Sequence, residues 1–190
     1  MSKSAGILLL LCQLFASYAY ADSEKCCTFY AATGRTIGKS SEFSSDAGSS
    51  RFALELHSPL KSWETSVLYL AGGAAFDRGL LREDIGSLSA DTRVNMHSTY
   101  LKPILCYKTM EVMSLCSGLS VGYNSYAQRG SGEYSTNLGA EIGPRVEVSD
   151  LNFLELKLFA SSGINSTSVP SLGKVSQFGV LLGLGMRTAK

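Results

Sequence analysis

The sequence predicts an all-β protein, an eight-stranded antiparallel up-and-down transmembrane β-barrel. Apolar and polar residues alternate along eight segments, which is the period of a half-buried β-strand. Long and short connections alternate between these segments, as in barrels with short turns at one end and long loops at the other. Beyond about the first twenty residues there is no apolar run of about 18 residues, so a helical membrane protein is excluded.

The first 21 residues have the pattern of a secretory signal peptide. Lys3 supplies the basic start, residues 7–15 the apolar core and Ala19-Tyr20-Ala21 the small-residue cleavage motif. We therefore expect a signal peptide over residues 1–21 and an outer-membrane β-barrel domain over residues 22–190. An exported chain can form disulfide bonds.

Overall charge excludes one class of partner. Charged residues make up 17% of the chain and its formal net charge is +1. Because a nucleic-acid footprint needs a basic excess, we expect no nucleic-acid partner. The balance of apolar and charged residues also argues against a disordered chain.

The clearest predicted strand covers residues 134–149. Its even-numbered positions are mostly apolar, from Tyr134 to Val148, whereas its odd-numbered positions hold every charge and every glycine. Such a segment presents one apolar and one polar face. In chain order, the eight predicted strands are residues 26–34, 51–58, 62–71, 93–107, 113–124, 134–149, 152–161 and 175–187.

Between the strands, four long connections are rich in Gly, Ser and Asp, as solvated loops should be. They are residues 35–50, 72–91, 125–132 and 162–174. Each joins strands at the same end of the predicted barrel. Since loops carry function on rigid scaffolds, this end is the expected site of any surface binding.

Two features favour a membrane barrel over a soluble exported lipocalin-like barrel with its apolar face inward. The polar face combines small residues with both signs of charge, which suits an eight-stranded lumen filled by side chains. Aromatic residues cluster near strand ends on the apolar face, as interfacial girdles do. These are Phe52, Trp63, Tyr69, Tyr107, Tyr123, Tyr134 and Phe178.

Residues 177–184, QFGVLLGL, resemble the polar-x-Gly-x-x-apolar-x-apolar signal that bacterial barrels carry for assembly into the outer membrane. In pattern and layout, the chain after residue 21 resembles the small eight-stranded outer-membrane barrels of the OmpA transmembrane domain and OmpX-like group. This resemblance implies a bacterial outer-membrane location and outer-membrane lipid as a partner. Pro144 departs from the pattern, because it removes a ladder hydrogen bond within a predicted strand.

Cys106 and Cys116 flank the shortest connection. A three-residue loop over residues 110–112 places the two side chains directly opposite each other, within reach of a disulfide bond. The alternative is a pair of free, small interior thiols. For Cys26 and Cys27 the sequence does not choose among pairing with each other, bridging two molecules and staying reduced.

This register has a consequence for the strand over residues 93–107. Cys106 and Lys102 then lie on the polar face, whereas Arg93 and His97 reach that face only in the opposite parity. A β-bulge near Tyr100-Leu101 would reconcile the two.

The polar face predicts a network of ion pairs in the lumen. An unpaired charge there would be costly, so acids and bases should neutralise one another. We expect this network to fill and rigidify the bore, with proton relay or ion conduction as the alternatives. Its members are Arg51, Glu55, Glu64, Arg93, Glu141, Arg145, Glu147, Glu155 and Lys157.

No catalytic, cofactor or metal motif stands out. His97-Ser98-Thr99 resembles the His-x-Ser pair of barrel lipid A deacylases, with Thr99 in the place of the nucleophilic serine. The residues favour a non-enzymatic, porin-like cell-envelope barrel that presents long loops for binding, adhesion or envelope integrity. Its expected partners are membrane lipid and an extracellular or host-surface ligand. A lipid-modifying barrel enzyme and a soluble ligand-binding barrel are the alternatives.

Overall fold

A computed structural model describes residues 27–40, 48–83, 92–128, 131–166 and 175–188. The predicted signal peptide and Cys26 lie outside these residues. The strands are β1 (Thr28–Ser40), β2 (Gly48–Ser62), β3 (Ser66–Glu83), β4 (Thr92–Met110), β5 (Met113–Gln128), β6 (Ser131–Glu147), β7 (Asn152–Ser166) and β8 (Val175–Arg187).

The eight strands form a closed barrel in sequence order, and each pairs antiparallel with the next. β1 and β8 close the barrel through a continuous register from Thr28↔Arg187 to Ser40↔Val175. The predicted fold class is therefore confirmed. Within the described residues, no helix has the length and apolarity needed to cross a membrane.

The strands extend into the segments that were predicted as long loops. β1 continues to Ser40 and β3 to Glu83, so the connections at this end shrink to residues 41–47, 84–91, 129–130 and 167–174, all outside the described part. At the opposite end the connections are residues 63–65, 111–112 and 148–151. We call the first end the outer end and the second the inner end.

Side chains alternate across the barrel wall as the period-2 pattern predicts. Burial in β8 alternates position by position, with Leu182 and Leu184 outward and Gln177 inward. Across the barrel, the outward face carries exposed apolar side chains, among them Leu119 at 68% exposure. This arrangement rules out the alternative of a soluble barrel around an apolar cavity, because charged side chains occupy the interior.

The predicted face of residues 62–71 is wrong for Tyr69. This side chain points inward, packs against the cluster of Ala71, Ile104, Cys106 and Cys116, and has the Arg145 guanidinium carbon 5.4 Å from its ring centre. Trp63 precedes β3, in the turn, so the alternation read through the turn does not continue into the strand. The other six predicted girdle aromatics are exposed on the outside.

The bulge predicted near Tyr100-Leu101 is also wrong. β4 pairs with β5 in one register from Asn95 to Lys108, and His97 points outward while Ser98 and Lys102 are buried. The irregularity lies in β3 instead, between Asp77 and Leu81. Gly79 adopts φ 70° there, which glycine tolerates best, and its N–H donates to Asn95 Oδ1 at 3.0 Å. His97 and Thr99 can face outward because they lie near the outer end.

Pro144 points outward within β6, and the β6–β7 pairing passes from Ile142↔Leu158 to Arg145↔Glu155 without it. Pro103 falls in a similar gap of the β4–β5 pairing, between Leu101↔Val121 and Ile104↔Gly118. Each proline therefore sits where one ladder lacks paired residues, which explains how the sheet accommodates it.

The disulfide prediction is confirmed. Cys106 pairs directly with Cys116 in the β4–β5 hairpin, and their sulfurs are bonded. The turn is shorter than expected, since only residues 111–112 separate the strands. Both cysteines are buried inside the barrel, so the bond links β4 to β5 near the inner end.

Replacing both cysteines should therefore weaken the barrel without changing its fold. A Cys106→Ala/Cys116→Ala variant should lose on the order of 2–3 kcal/mol of unfolding free energy, because a short covalent loop is opened. Urea unfolding in lipid vesicles, followed by the fluorescence of the single tryptophan, measures this loss. Non-reduced peptide mapping is the control, and free thiols at both positions would contradict the prediction.

Candidate functional site: the ionic interior of the barrel

Glu55 on β2 is the centre of the interior. Its Oε1 accepts hydrogen bonds from Tyr100 and Lys102, each at 2.8 Å, and its Oε2 lies 2.7 Å from His57 Nε2 and 3.4 Å from Lys157 Nζ. The residue is only 6% exposed. One carboxylate therefore connects β2 to β4 and β7 across the bore.

Glu141 on β6 completes this central layer. Lys102 Nζ donates to Glu141 at 2.6 Å, and Lys157 Nζ lies 3.2 Å from the same carboxylate. Each lysine thus lies between two acids. Because both ammonium groups are almost fully buried, this sharing keeps their charges paired without water.

Further ion pairs lie on both sides of the central layer. Toward the inner end, Arg145 pairs with Glu155 at 3.0 Å and Arg187 with Glu147 at 2.7 Å. Toward the outer end, Arg51 pairs with Asp77 at 2.7 Å. The described network therefore contains five acids and five bases. The acids are Glu55, Asp77, Glu141, Glu147 and Glu155, and the bases are Arg51, Lys102, Arg145, Lys157 and Arg187.

Inward aromatic rings fill the space between the charges. The Arg145 guanidinium carbon lies 4.0 Å from the centre of the Phe153 ring, and Lys157 Nζ lies 4.1 Å from that of Tyr30. Such cation–π contacts stabilise a desolvated cation. The rings fit because the neighbouring strand β8 carries glycines beside them: a Cβ at Gly183 would collide with the Tyr30 ring and one at Gly185 with the Phe153 ring.

Seven of the nine residues predicted for the lumen network lie in it: Arg51, Glu55, Glu141, Arg145, Glu147, Glu155 and Lys157. Glu64 does not, because it lies exposed in the turn before β3. Arg93 lies in β4, and its side chain is outside the described part.

Sequence reasoning missed several contributors to the interior. Asp77, the partner of Arg51, fell in a predicted loop, while Tyr30 and Phe153 were not expected inside. One sequence feature could have predicted the inward aromatic rings. Glycines recur at inward positions of β8, and Gly185 pairs with both Tyr30 and Phe153 on the neighbouring strands.

The described interior contains a small cavity at its centre. This cavity has about 40 Å³ and lies between the Arg51, Lys102 and Phe159 side chains. This volume holds no more than a few water molecules. In the described part of the chain, no group of three or more His, Cys, Asp and Glu residues is arranged to hold a metal ion.

His97 lies on the opposite side of the wall from this interior, which corrects the expected lumen position. It is exposed on the outward face, and its ring centre lies 4.7 Å from that of Phe76. Ser98 points inward, whereas Thr99 shares the outward face with His97.

This architecture matches solved outer-membrane barrels. Neisserial surface protein A superposes with a TM-score of 0.65 at 15% identity, covering 85% of this chain and 97% of that one. Ail of Yersinia pestis gives 0.54 at 14% identity over 87% and 99% of the two chains. The N-terminal β-barrel domain of Pseudomonas aeruginosa OprF gives 0.51 at 11% identity over 85% and 97%.

The chain has the fold of a small outer-membrane β-barrel. The resemblance to the eight-stranded group drawn from the sequence is confirmed at this level. No protein-family model and no curated protein sequence matches the chain. At these identities the similarity concerns the fold, so the function of the barrel has to be argued from its own residues.

The central position of Glu55 leads to a stability prediction. Glu55→Ala should lower the unfolding free energy of the barrel by about 3–5 kcal/mol, because it leaves Lys102 and Lys157 with buried, partly unpaired charges. Glu64→Ala is the matched control, since this exposed turn residue should change stability by less than about 0.5 kcal/mol. Urea titration in vesicles gives both values. Equal effects of the two substitutions would contradict the assigned role of Glu55.

Proposed function

We propose that this protein is a bacterial outer-membrane barrel with a plugged lumen, which acts through its outer end in surface binding or adhesion. The observation that carries this proposal is the paired ionic interior centred on Glu55, whose buried charges and aromatic rings cross the bore. A bore filled in this way favours a scaffold over a channel.

The outward face supports the membrane location. Exposed leucines and valines cover the middle of the strands, and six exposed aromatics lie toward their ends, which is the layout of a lipid-facing band between two girdles. The N-terminal secretory pattern of residues 1–21 supports export, with cleavage after Ala21 as part of the proposal. Outer-membrane lipid is then the partner of the whole outward face.

Surface binding is supported by the position of the connections. Four connections meet at the outer end, and a rigid barrel below them would hold them in fixed relative positions. Ail, the attachment invasion locus protein of Yersinia pestis, has a comparable barrel. One structure of Ail is in complex with the heparin analogue sucrose octasulfate, and it superposes on this chain with a TM-score of 0.50. We therefore propose a host-surface molecule as the ligand.

If the lumen is plugged, the protein should not conduct ions across a membrane. The folded protein in a planar lipid bilayer should show no stepwise conductance, because paired side chains fill the bore. A Glu55→Ala/Lys102→Ala/Lys157→Ala variant removes the central layer and should conduct, whereas a Lys61→Ala/Glu64→Ala variant at the inner-end turn should stay silent. Sustained conductance by the unmodified protein would contradict the plugged lumen.

Binding at the outer end is tested by exchanging connections. Liposomes bearing the protein should adhere to cultured epithelial cells, and replacing residues 41–47 and 167–174 by short Gly-Asn turns should abolish this adhesion. Replacing residues 63–65 at the inner end is the matched control. Adhesion that survives the first exchange, or is absent from the unmodified protein, would contradict the proposal.

One observation favours the lipid-modifying alternative. His97 and Thr99 point outward on the same strand, toward lipid, as an acyl-transfer pair would require. No carboxylate among the described residues contacts His97, so the third member of such a site is missing from this part of the chain.

Under the main proposal, His97→Ala leaves the acyl composition of membrane lipid unchanged. Loss of an acyl-modified lipid species in mass spectra of this variant would instead establish the enzyme.

A further inference from the structure

Two arginines break the apolar pattern of the outward face. Arg35 on β1 and Arg78 on β3 are both exposed, and both pair with Ser50 on the intervening strand. They therefore occupy one row, with their Cα atoms about 10 Å apart, which is two strand spacings. Lys39, four residues beyond Arg35, points the same way. Among the described residues, no carboxylate forms an ion pair with any of these three cations.

The row directly below is aromatic. Phe52 pairs with Phe76, and Phe76 pairs with His97, all on the outward face. Aromatic side chains on the outside of a barrel occupy the membrane–water interface. Arg35 and Arg78 therefore lie at the outer-leaflet interface, at the depth of lipid headgroups.

The next row places one alanine on each side of Leu54. Ala31 pairs with Leu54, Leu54 with Ala74, and Ala74 with Thr99. Below the arginines this row forms the floor of an apolar groove of about 510 Å³, which continues toward Leu184 and Met186. Ala31 and Ala74 each lie four residues from the arginine of their own strand. The groove thus begins one row below the aromatic side chains and runs toward the centre of the membrane.

We propose that Arg35 and Arg78 bind the phosphate of a phosphorylated outer-leaflet lipid whose acyl chain lies in this groove. Guanidinium groups bind phosphate oxygens through two parallel hydrogen bonds. Among the described residues, no carboxylate forms an ion pair with either arginine. Charge and shape thus point to one ligand, with the cations on its headgroup and the small residues beneath its chain. The proposal rests on the proposed outer-membrane location.

A second groove provides an internal comparison. It has about 660 Å³ and lies on the other side of the barrel, with Leu119, Ala160 and Phe178 in its wall. The described outward residues toward the outer end of those strands, such as Tyr134, Ser162 and Ser176, carry no positive charge. Ordinary lipid covers both grooves, but among the described residues only the first has arginines at its outer end.

The test uses the full barrel in detergent and native mass spectrometry, with bis-phosphorylated lipid A as the probe. Removing the phosphates from the probe, or introducing Arg35→Gln/Arg78→Gln, should weaken binding about tenfold to thirtyfold. Ala74→Trp should weaken it as well by filling the groove. The matched controls, Lys61→Gln/Lys108→Gln at the inner end and Ala160→Trp in the second groove, should bind like the unmodified protein.

Equal binding of the phosphorylated and dephosphorylated probes would overturn the proposal, as would equal losses in the variants and their controls. Because binding is measured on purified protein in detergent, this result is separate from the proposed location, which cell fractionation decides. Outer-membrane recovery without phosphate-dependent binding would overturn the lipid site alone. Recovery in a soluble fraction would overturn the proposed location.

Discussion

The structure depends on the contact of Glu55 with Lys102 and Lys157. A closed eight-stranded barrel with an apolar outside has to place its charges inside, where each needs a partner. Glu55 and Glu141 share the two lysines, and the remaining pairs extend this neutral arrangement toward both ends. The glycines of β8 then make room for the aromatic rings that lie between the charges. The charged residues inside and the leucines outside thus both follow from the closed barrel having an apolar outer surface.

Much of this fold follows from the sequence because successive side chains of a strand can point only to one face of the sheet or the other. Burial on one face predicts the other, so the faces of β2, β5, β6, β7 and β8 and the Cys106–Cys116 register were predictable. Periodicity fails where a turn or a bulge changes the phase. Tyr69 was misplaced because the alternation was read through the turn before β3, and the bulge at Gly79 shows only as a glycine in an apparent loop.

The sequence predicted which charged residues line the interior better than it predicted which acid pairs with which base. Charges on the polar face identify lumen residues, but tilt and stagger determine which acid meets which base, and these are not local properties. Asp77 and Arg51 are the clearest case, since Asp77 lies opposite Arg51 only because β3 continues beyond residue 71. His97 was assigned inward from its polarity. Near the outer end an outward polar residue meets headgroups rather than hydrocarbon, so polarity no longer reports the face.

The central claim is that the charged face lies inside and the apolar face meets lipid. Fractionating the cell envelope and running boiled and unboiled samples on a gel test it most directly. The account predicts recovery in the outer membrane, with a mobility that changes on boiling because the unboiled barrel stays folded. Recovery in the soluble exported fraction, with one mobility in both samples, would contradict it.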